Sequence, residues 1–261
     1  MKFCTLASSS SGNCTFVTDG KTNILIDAGI SMRRIVCALR ALGSSPEKLC
    51  GILLTHEHTD HTNGLKMLSK YYHIPLFASH GTAAGICRYS PELKGLMHEF
   101  SAGDELSLGT LSAKSFPTPH DTPESVGYRI TDGEKLLFFA TDTGCLTDVL
   151  LTFSRGADAA VIEANHDIDL LKNGTYPPPL KRRILSDRGH MSNRVCGEFA
   201  KTLAEGGTKR IVLAHLSREN NTPELAYETV FSALNKAGVT PGDAVALSVA
   251  PKDCPGDLFE V

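Results

Sequence analysis

The stretch Ile52-Leu53-Leu54-Thr55-His56-Glu57-His58-Thr59-Asp60-His61 decides how the rest of this chain is read. It joins a short apolar run, of the kind a buried strand carries, to a tight group of three histidines and an aspartate. His56 and His58 stand two apart at the strand end, so both rings can face one way. Asp60 and His61 then turn around the loop toward a neighbouring point. Imidazole nitrogen and carboxylate oxygen are ligands of divalent ions, and this many ligands facing two ways is more than one tetrahedral ion takes from a single loop. The pattern predicts two ions held close together.

Two ions need ligands from elsewhere in the chain. In α/β sheets ligands gather at the carboxyl ends of strands, which sorts the remaining histidines and aspartates. His120 comes just past a strand ending near Phe116, Asp142 closes Leu136 to Thr141, and His215 closes Ile211-Val212-Leu213-Ala214. Taken singly, His120 and His215 read equally well as hydrogen-bonded edge histidines and Asp142 as a turn residue. The first cluster is what favours ligation. Asp27, ending Ile24-Leu25-Ile26, is assigned to orienting the ligand loop. Asn165 and His166 follow the strand Ala160 to Glu163 and are placed near the same edge, whereas His73, His80 and His98 read as surface or core residues.

Composition sets the frame around that site. With 261 residues, 41% hydrophobic and 21% charged, the chain has the balance of a globular protein and the length to bury a large core. No linker divides it, so residues 1–261 are read as one domain. No apolar run is long enough to span a bilayer, and Met1-Lys2-Phe3 leads into a Cys/Ser/Gly-rich segment, so a cytoplasmic protein with no membrane partner is expected. The eight cysteines include no Cys-x-x-Cys pair and are read as buried free thiols. A formal net charge of −3 excludes a molecule-wide basic footprint, so any surface for nucleic acid must be local.

Along the chain, β-rich runs come first, with a hairpin at Asp19-Gly20. A helix is predicted over 31–42, capped by Ser31 and stopped by Gly43, and Leu65, Leu68 and Tyr72 mark a second. Strands over 110–116, 126–130 and 135–141 precede an alternation of strand 159–163, helix 192–205, strand 210–215, helix 223–237 and strand 244–250. Two β-then-α stretches of this kind predict an α/β protein built of two packed halves. Asn173 to Pro179, with three prolines, is read as a loop.

The order His-x-His-x-Asp-His, then His120, Asp142 and His215, with Asp27 ahead, resembles the metallo-β-lactamase fold superfamily across almost the whole chain. That resemblance implies a four-layer αββα sandwich with the site along one edge of the two sheets. It also implies one ion on His56, His58 and His120, a second on Asp60, His61 and His215, and Asp142 bridging. Within the superfamily the chain is similar to the YycJ (WalJ) group of nuclease-like proteins, through Leu6 to Asn13, Glu163 to Asp167 and above all Lys181 to Asn193. Met191 stands where that group leads one to expect leucine, a packing substitution. The 73 positions from Asp142 to His215 leave no room for a β-CASP insertion of the sort some RNA-processing relatives carry.

Two divalent ions about 4 Å apart can trap a bridging hydroxide as nucleophile, a chemistry that suits esters, amides, thioesters and phosphodiesters alike. A nitrogen and oxygen donor set without cysteine fits zinc or manganese. Lys181, Arg182, Arg183, Arg188 and Arg194 lie around His190, Ser192 and Asn193, and a helix start near Ser192 favours a phosphate. The plainer reading is a solvated face with Ser192 or Asn193 as a cap. The resemblance implies that His190 and its neighbours contact the scissile phosphate, with His190 as general acid. Asp60 is counted with it as catalytic, while Ser11, Asn13 and Asn165 join Arg182, Arg183, Ser192 and Asn193 as substrate contacts. The leading expectation is a dinuclear phosphodiesterase acting on nucleic acid, DNA favoured over RNA, with the family implying a 5′-to-3′ exonuclease connected with DNA repair. A small-molecule phosphodiester or thioester hydrolase and a non-catalytic, metal-stabilised adaptor are the alternatives.

Overall fold

Alternating apolar residues make the strands two-faced, and the protein uses both faces. The computed structural model describes residues 1–261. In the N-terminal half β1 (Lys2–Ala7), β2 (Cys14–Thr18) and β3 (Asn23–Ile26) form an antiparallel meander. β4 (Leu49–Leu53), β5 (Leu76–Ser79) and β6 (Met97–Phe100) extend it in parallel. The second sheet repeats the plan. β7 (Glu105–Leu108), β8 (Leu111–Pro117), β9 (Val126–Thr131) and β10 (Leu136–Ala140) run antiparallel, and β11 (Ala159–Glu163), β12 (Arg210–Ala214) and β13 (Ala246–Val249) follow in parallel. The last strand, β14 (Phe259–Glu260), returns to pair with β1, so each sheet has seven strands.

Parallel strands need long crossovers, and helices fill them. The first half contributes α1 (Met32–Ala41), α2 (Thr59–Thr62), α3 (Leu65–Tyr72) and α4 (His80–Tyr89). The second contributes α5 (Asp148–Phe153), α6 (Ile168–Asn173), α7 (Pro178–Ile184), α8 (Asn193–Glu205) and α9 (Pro223–Lys236). Three apolar cores separate the resulting four layers. Leu25 and Ile52 pack outward with Ile35, Leu39 and Leu68 of α1 and α3. Their strand neighbours Ile24, Ile26 and Leu53 pack inward against Tyr128, Leu137, Phe139 and Val161 of the second sheet. Phe138 and Ile162 face Phe199 and Leu203 of α8. The period of two in each strand thus assigns each side chain to its layer. The fold is the expected αββα sandwich. The Asp142–His215 interval holds only α5 to α8 and β11 to β12, with no insertion.

Several local readings need correction. The last two residues of the segment read as a loop, Pro178 and Pro179, lie inside a helix, because α7 starts at Pro178, and proline is tolerated in a first helical turn where its missing N–H has no partner to lose. α4 escaped the sequence reading because Gly81 and Gly85 interrupt its pattern. All eight cysteines are free, as expected, but only Cys4, Cys14 and Cys196 are buried. No helix is long and apolar enough to cross a membrane.

The sheets are joined directly behind the ligand loop. Val126 N donates to Thr55 O at 3.0 Å, and the buried Tyr128 hydroxyl donates to Leu54 O at 2.5 Å. Tyr128→Phe leaves that carbonyl without its donor, an expected cost of about 1–3 kcal/mol. Urea denaturation should show a lower midpoint with an unchanged slope. An unchanged midpoint would mean that the bond contributes nothing.

Candidate metal centre

The carboxyl ends of β3, β4, β10, β11 and β12 converge on one edge of the sandwich, and each ends in a polar residue of the site. Asp27, Asp142 and His215 follow β3, β10 and β12 with φ of 59°, 56° and 56°. Residues with side chains rarely adopt this left-handed conformation, and its recurrence at three strand ends turns each side chain sharply toward the same point.

The ligand loop itself rests on close backbone packing. Asn13 N donates to Asp60 O at 2.8 Å, Gly29 N to Asn13 O at 2.7 Å and Ala28 N to His61 O at 2.8 Å. A Cβ on Gly29 would lie 1.6 Å from the Asp60 carbonyl oxygen, so only glycine admits the loop here. Asp27 fixes it further: its carboxylate accepts from Thr55 N at 2.9 Å, Thr55 Oγ1 at 2.9 Å and His61 Nδ1 at 2.7 Å. Asp27 thus stands behind the ligand loop and in contact with it.

One end of the cluster is formed by His56, His58 and His120. His58 Nδ1 lies 3.0 Å from His56 Nε2 and 3.3 Å from His120 Nε2. The outer nitrogens of the other two rings are already donating, His56 Nδ1 to Thr55 Oγ1 at 3.0 Å and His120 Nδ1 to Gly189 O at 3.1 Å. The inward nitrogens of His56 and His120 are therefore lone pairs, turned toward each other's neighbour. Burial pushes the pKa of all three imidazoles below the ordinary value, furthest for His56, and keeps them in the neutral form that ligates. A neutral His58 can offer its Nδ1 proton to only one of those two lone pairs, whereas a cation among the three rings would satisfy all.

Asp60, His61 and His215 form the other end, with His61 Nε2 3.4 Å and His215 Nε2 4.0 Å from Asp60 Oδ2. Asp142 lies between the two groups. Its Oδ1 is 3.7 Å from His120 Nε2 and 3.4 Å from His215 Nε2, and its Oδ2 is 3.3 Å from His61 Nε2 but off the line of a hydrogen bond. A fully buried carboxylate oxygen with no donor is costly unless a cation satisfies it. Burial raises the pKa of Asp142, but His215, His61 and His56 outweigh it and hold the carboxyl well below its usual range. The same carboxylates, with Asp27, overcome burial at His61 and hold its pKa well above the ordinary value. Nitrogen and oxygen donors, an orphaned carboxylate oxygen and facing lone pairs fit the binding of divalent metal.

Substrate contacts read from the sequence divide sharply. His190 and Asn165 do line a cavity of about 740 Å³ over the cluster, as does Arg183. Arg183, however, is already paired with Asp121, and Arg182 is exposed outside the cavity. Ser192 is a buried helix cap, accepting from Val195 N at 3.4 Å, so the plainer reading holds for it. Asn193 is buried in an amide pair with Asn221, 2.9 Å from Nδ2 to Oδ1, and does not line the cavity. Ser11 accepts from Arg218 Nε at 2.8 Å and also stands outside the lining.

Asn13 likewise clasps the cluster rather than facing substrate. Its Nδ2 lies 3.3 Å from Asp60 Oδ2 and 3.1 Å from His61 Nε2, and its Oδ1 lies 3.2 Å from His215 Nδ1. With Nδ1 donating to Asn13 Oδ1, the His215 Nε2 lone pair is left free to ligate. Asn13→Ala is expected to weaken metal affinity by about 10- to 100-fold, read by competition with a coloured chelator. Unaltered affinity would reduce Asn13 to a loop anchor.

One functional residue was missed. Glu163, fully buried at the end of β11, accepts from His190 Nδ1 at 2.8 Å with Oε1, and from Thr143 N at 2.8 Å and Met191 N at 3.0 Å with Oε2. Its signal was available: like Asp142, it is an acid closing an apolar strand. His166 is buried with both ring nitrogens unpartnered and stands outside the cavity lining. His80 pairs with exposed Glu99, His98 stacks on Phe77, and His73 caps α3, as their lack of pattern implied.

Comparison with known proteins places this arrangement. Residues 22–216 match the family model described as a beta-lactamase superfamily domain. The chain is 37% identical over 244 residues to exodeoxyribonuclease WalJ of Streptococcus pneumoniae, covering 92% of this chain and 91% of that protein. It is 36% identical over 248 residues to exodeoxyribonuclease YycJ of Bacillus anthracis, covering 94% and 93%. Among solved structures it superposes on the metallo-beta-lactamase fold protein YhfI of Bacillus subtilis with a TM-score of 0.75 at 19% identity, covering 99% of each chain. It superposes on PqqB of Methylobacterium extorquens with a TM-score of 0.74 at 19% identity, covering 98% of this chain and 100% of that one. With a matching domain model over most of its length and relatives of this identity from end to end, the chain belongs to the metallo-β-lactamase superfamily of metal-dependent hydrolases, in the group that contains WalJ and YycJ.

Proposed function

We propose that the protein is a phosphodiesterase that shortens DNA strands from the 5′ end, with two divalent ions, zinc or manganese, as its cofactor. His56, His58 and His120 would hold one ion, Asp60, His61 and His215 the other, and Asp142 both. When bound, such a pair lowers the pKa of a water and neutralises charge developing on a phosphoryl oxygen.

The observation that carries this reading is His190 at the cavity wall beside that cluster, gripped from behind by Glu163. With Nδ1 committed to Glu163, Nε2 is the ring atom left to donate a proton to a leaving oxygen. Burial opposes the charged ring, but Glu163 and then Asp142 outweigh it and raise the pKa to about 9. The proton is thus in place at neutral pH. Arg188 holds the wall in shape by donating to the carbonyls of His120, at 2.9 Å, and Thr122, at 3.2 Å. The relatives named exodeoxyribonucleases support DNA as the polymer.

The test is a product ladder. Metal-reconstituted protein, with Mn²⁺ or Zn²⁺, is incubated with end-labelled single- and double-stranded DNA and RNA. Mononucleotides released successively from the 5′ end of DNA are expected. Internal fragments would replace the exonuclease reading by an endonuclease one, and intact polymers beside rapid hydrolysis of bis-p-nitrophenyl phosphate would leave a small-molecule phosphodiesterase.

A further inference from the structure

The basic strip that the sequence offered as a phosphate cradle is largely consumed in holding loops together. Lys181 Nζ donates to the carbonyls of Lys172 and Gly174, both at 2.7 Å, and Arg183 and Arg188 are committed to Asp121 and to backbone. The uncommitted guanidinium at the cavity comes from another element. Arg88, in the last turn of α4, is exposed, lines the cavity and makes neither a hydrogen bond nor an ion pair. Next to it is Tyr89, 82% exposed, and the same cavity is lined by Tyr176 from the loop before α7. A tyrosine ring left this open forgoes the burial that its apolar area would otherwise provide.

The placement is built into α4. Ser79 caps the helix by accepting from Thr82 N, and Glu124 Oε2 accepts from Gly81 N at 2.7 Å. A Cβ on Gly85 would stand 2.7 Å from Glu57 Cγ, so a glycine is what lets this helix face settle against the residue between the two ligand histidines. Arg88 and Tyr89 follow Gly85 at i+3 and i+4 and therefore share that face. Glu57, which lines the same cavity, is their acidic neighbour. Tyr176 directly precedes Pro177, Pro178 and Pro179, whose rings fix the backbone beside it.

We propose that Tyr89, Tyr176 and Arg88 form a platform for the unpaired end of a DNA strand, the tyrosines stacking on bases and Arg88 holding the intervening phosphate. Base–aromatic stacking tolerates any sequence, which suits a strand-shortening enzyme. The cavity, about 740 Å³, is of the size that holds a ligand of drug size, so it admits a few unstacked nucleotides and not a duplex. Duplex ends must fray to enter. This inference rests on the nuclease reading above.

Steady-state kinetics of the metal-loaded enzyme on single-stranded oligodeoxynucleotides of increasing length tests it. For the unmodified protein KM is expected to fall as the strand grows beyond a dinucleotide. Tyr89→Ala should remove about tenfold or more of that fall, and Tyr89→Phe, which keeps the ring, should restore it. Arg88→Ala should lower the slope of log KM against log salt by about 0.7, the share of one phosphate on a single strand. A Tyr89→Ala enzyme with the full length dependence, or a Tyr89→Phe enzyme as impaired as Tyr89→Ala, overturns the platform while the nuclease reading stands. Equal KM for blunt duplexes and single strands overturns the requirement for an unpaired end. An unmodified, metal-loaded protein that cleaves no DNA strand of any length overturns the nuclease reading, and the platform with it.

Discussion

Replacing Asp142 by asparagine is expected to lower the hydrolytic rate by about a thousandfold or more and to reduce bound metal below two ions per chain. The change keeps the side chain's shape and removes one charge, so the effect isolates electrostatics. Asp142 stands between the two ends of the cluster, its Oδ1 near His120 of one and His215 of the other and its Oδ2 near His61. Asp142 is itself buried, so solvent replaces the lost anion poorly. A loss of about 4 kcal/mol, within the 3–5 kcal/mol typical of a buried ionic partner removed, corresponds to three decades in rate. Elemental analysis and single-turnover rates measure the two effects separately. A variant that keeps both full metal content and full rate would show that Asp142 does not join the two ends.

His190→Ala carries the next largest expected effect. Loss of a general acid typically costs about 10² to 10⁴ in rate, and here the cost should depend on the leaving group. Hydrolysis of DNA expels a poor leaving group that needs a proton, whereas bis-p-nitrophenyl phosphate expels a nitrophenolate that needs none. The variant should therefore lose far more on DNA than on the nitrophenyl ester, with metal content unaltered. Equal losses on both substrates would assign His190 to binding instead. Glu163→Gln gives the matching pH test. The raised pKa keeps His190 protonated up to about pH 9, so activity that requires this proton should decline as pH rises through that value. Removing the carboxylate that raises it moves the alkaline limb to lower pH. An unmoved limb would exclude His190 as the group being titrated.

The arrangement in space was legible to different depths in different residues. His56, His58, Asp60 and His61 could be read together because their spacing on one strand end and turn is local geometry. His120, Asp142 and His215 could be read because parallel strands deliver their last residues to one edge. Asp27 was legible for the same reason, and Glu163, closing β11, obeys the same rule. Asn13, Ser192 and Asn193 were read as facing substrate, since an exposed loop amide and a buried clasp have the same sequence. Nothing local distinguishes them. Arg183 and Lys181 show the same limit: charge is visible in sequence, but whether it is already spent on Asp121 or on a helix end depends on which loop lies opposite.

Layer architecture and the ligand group therefore follow from periodicity and strand ends, because both depend on a few adjacent residues whose backbone geometry is constrained. Partner choice is a long-range matter. The grip of Glu163 on His190, the clasp of Asn13 across Asp60 and His215, and the seating of Arg88 and Tyr89 beside the ligand loop arise only when elements far apart in the chain pack. A hydrogen bond over 3 Å or a glycine-sized gap is set by that packing and leaves no mark in local order.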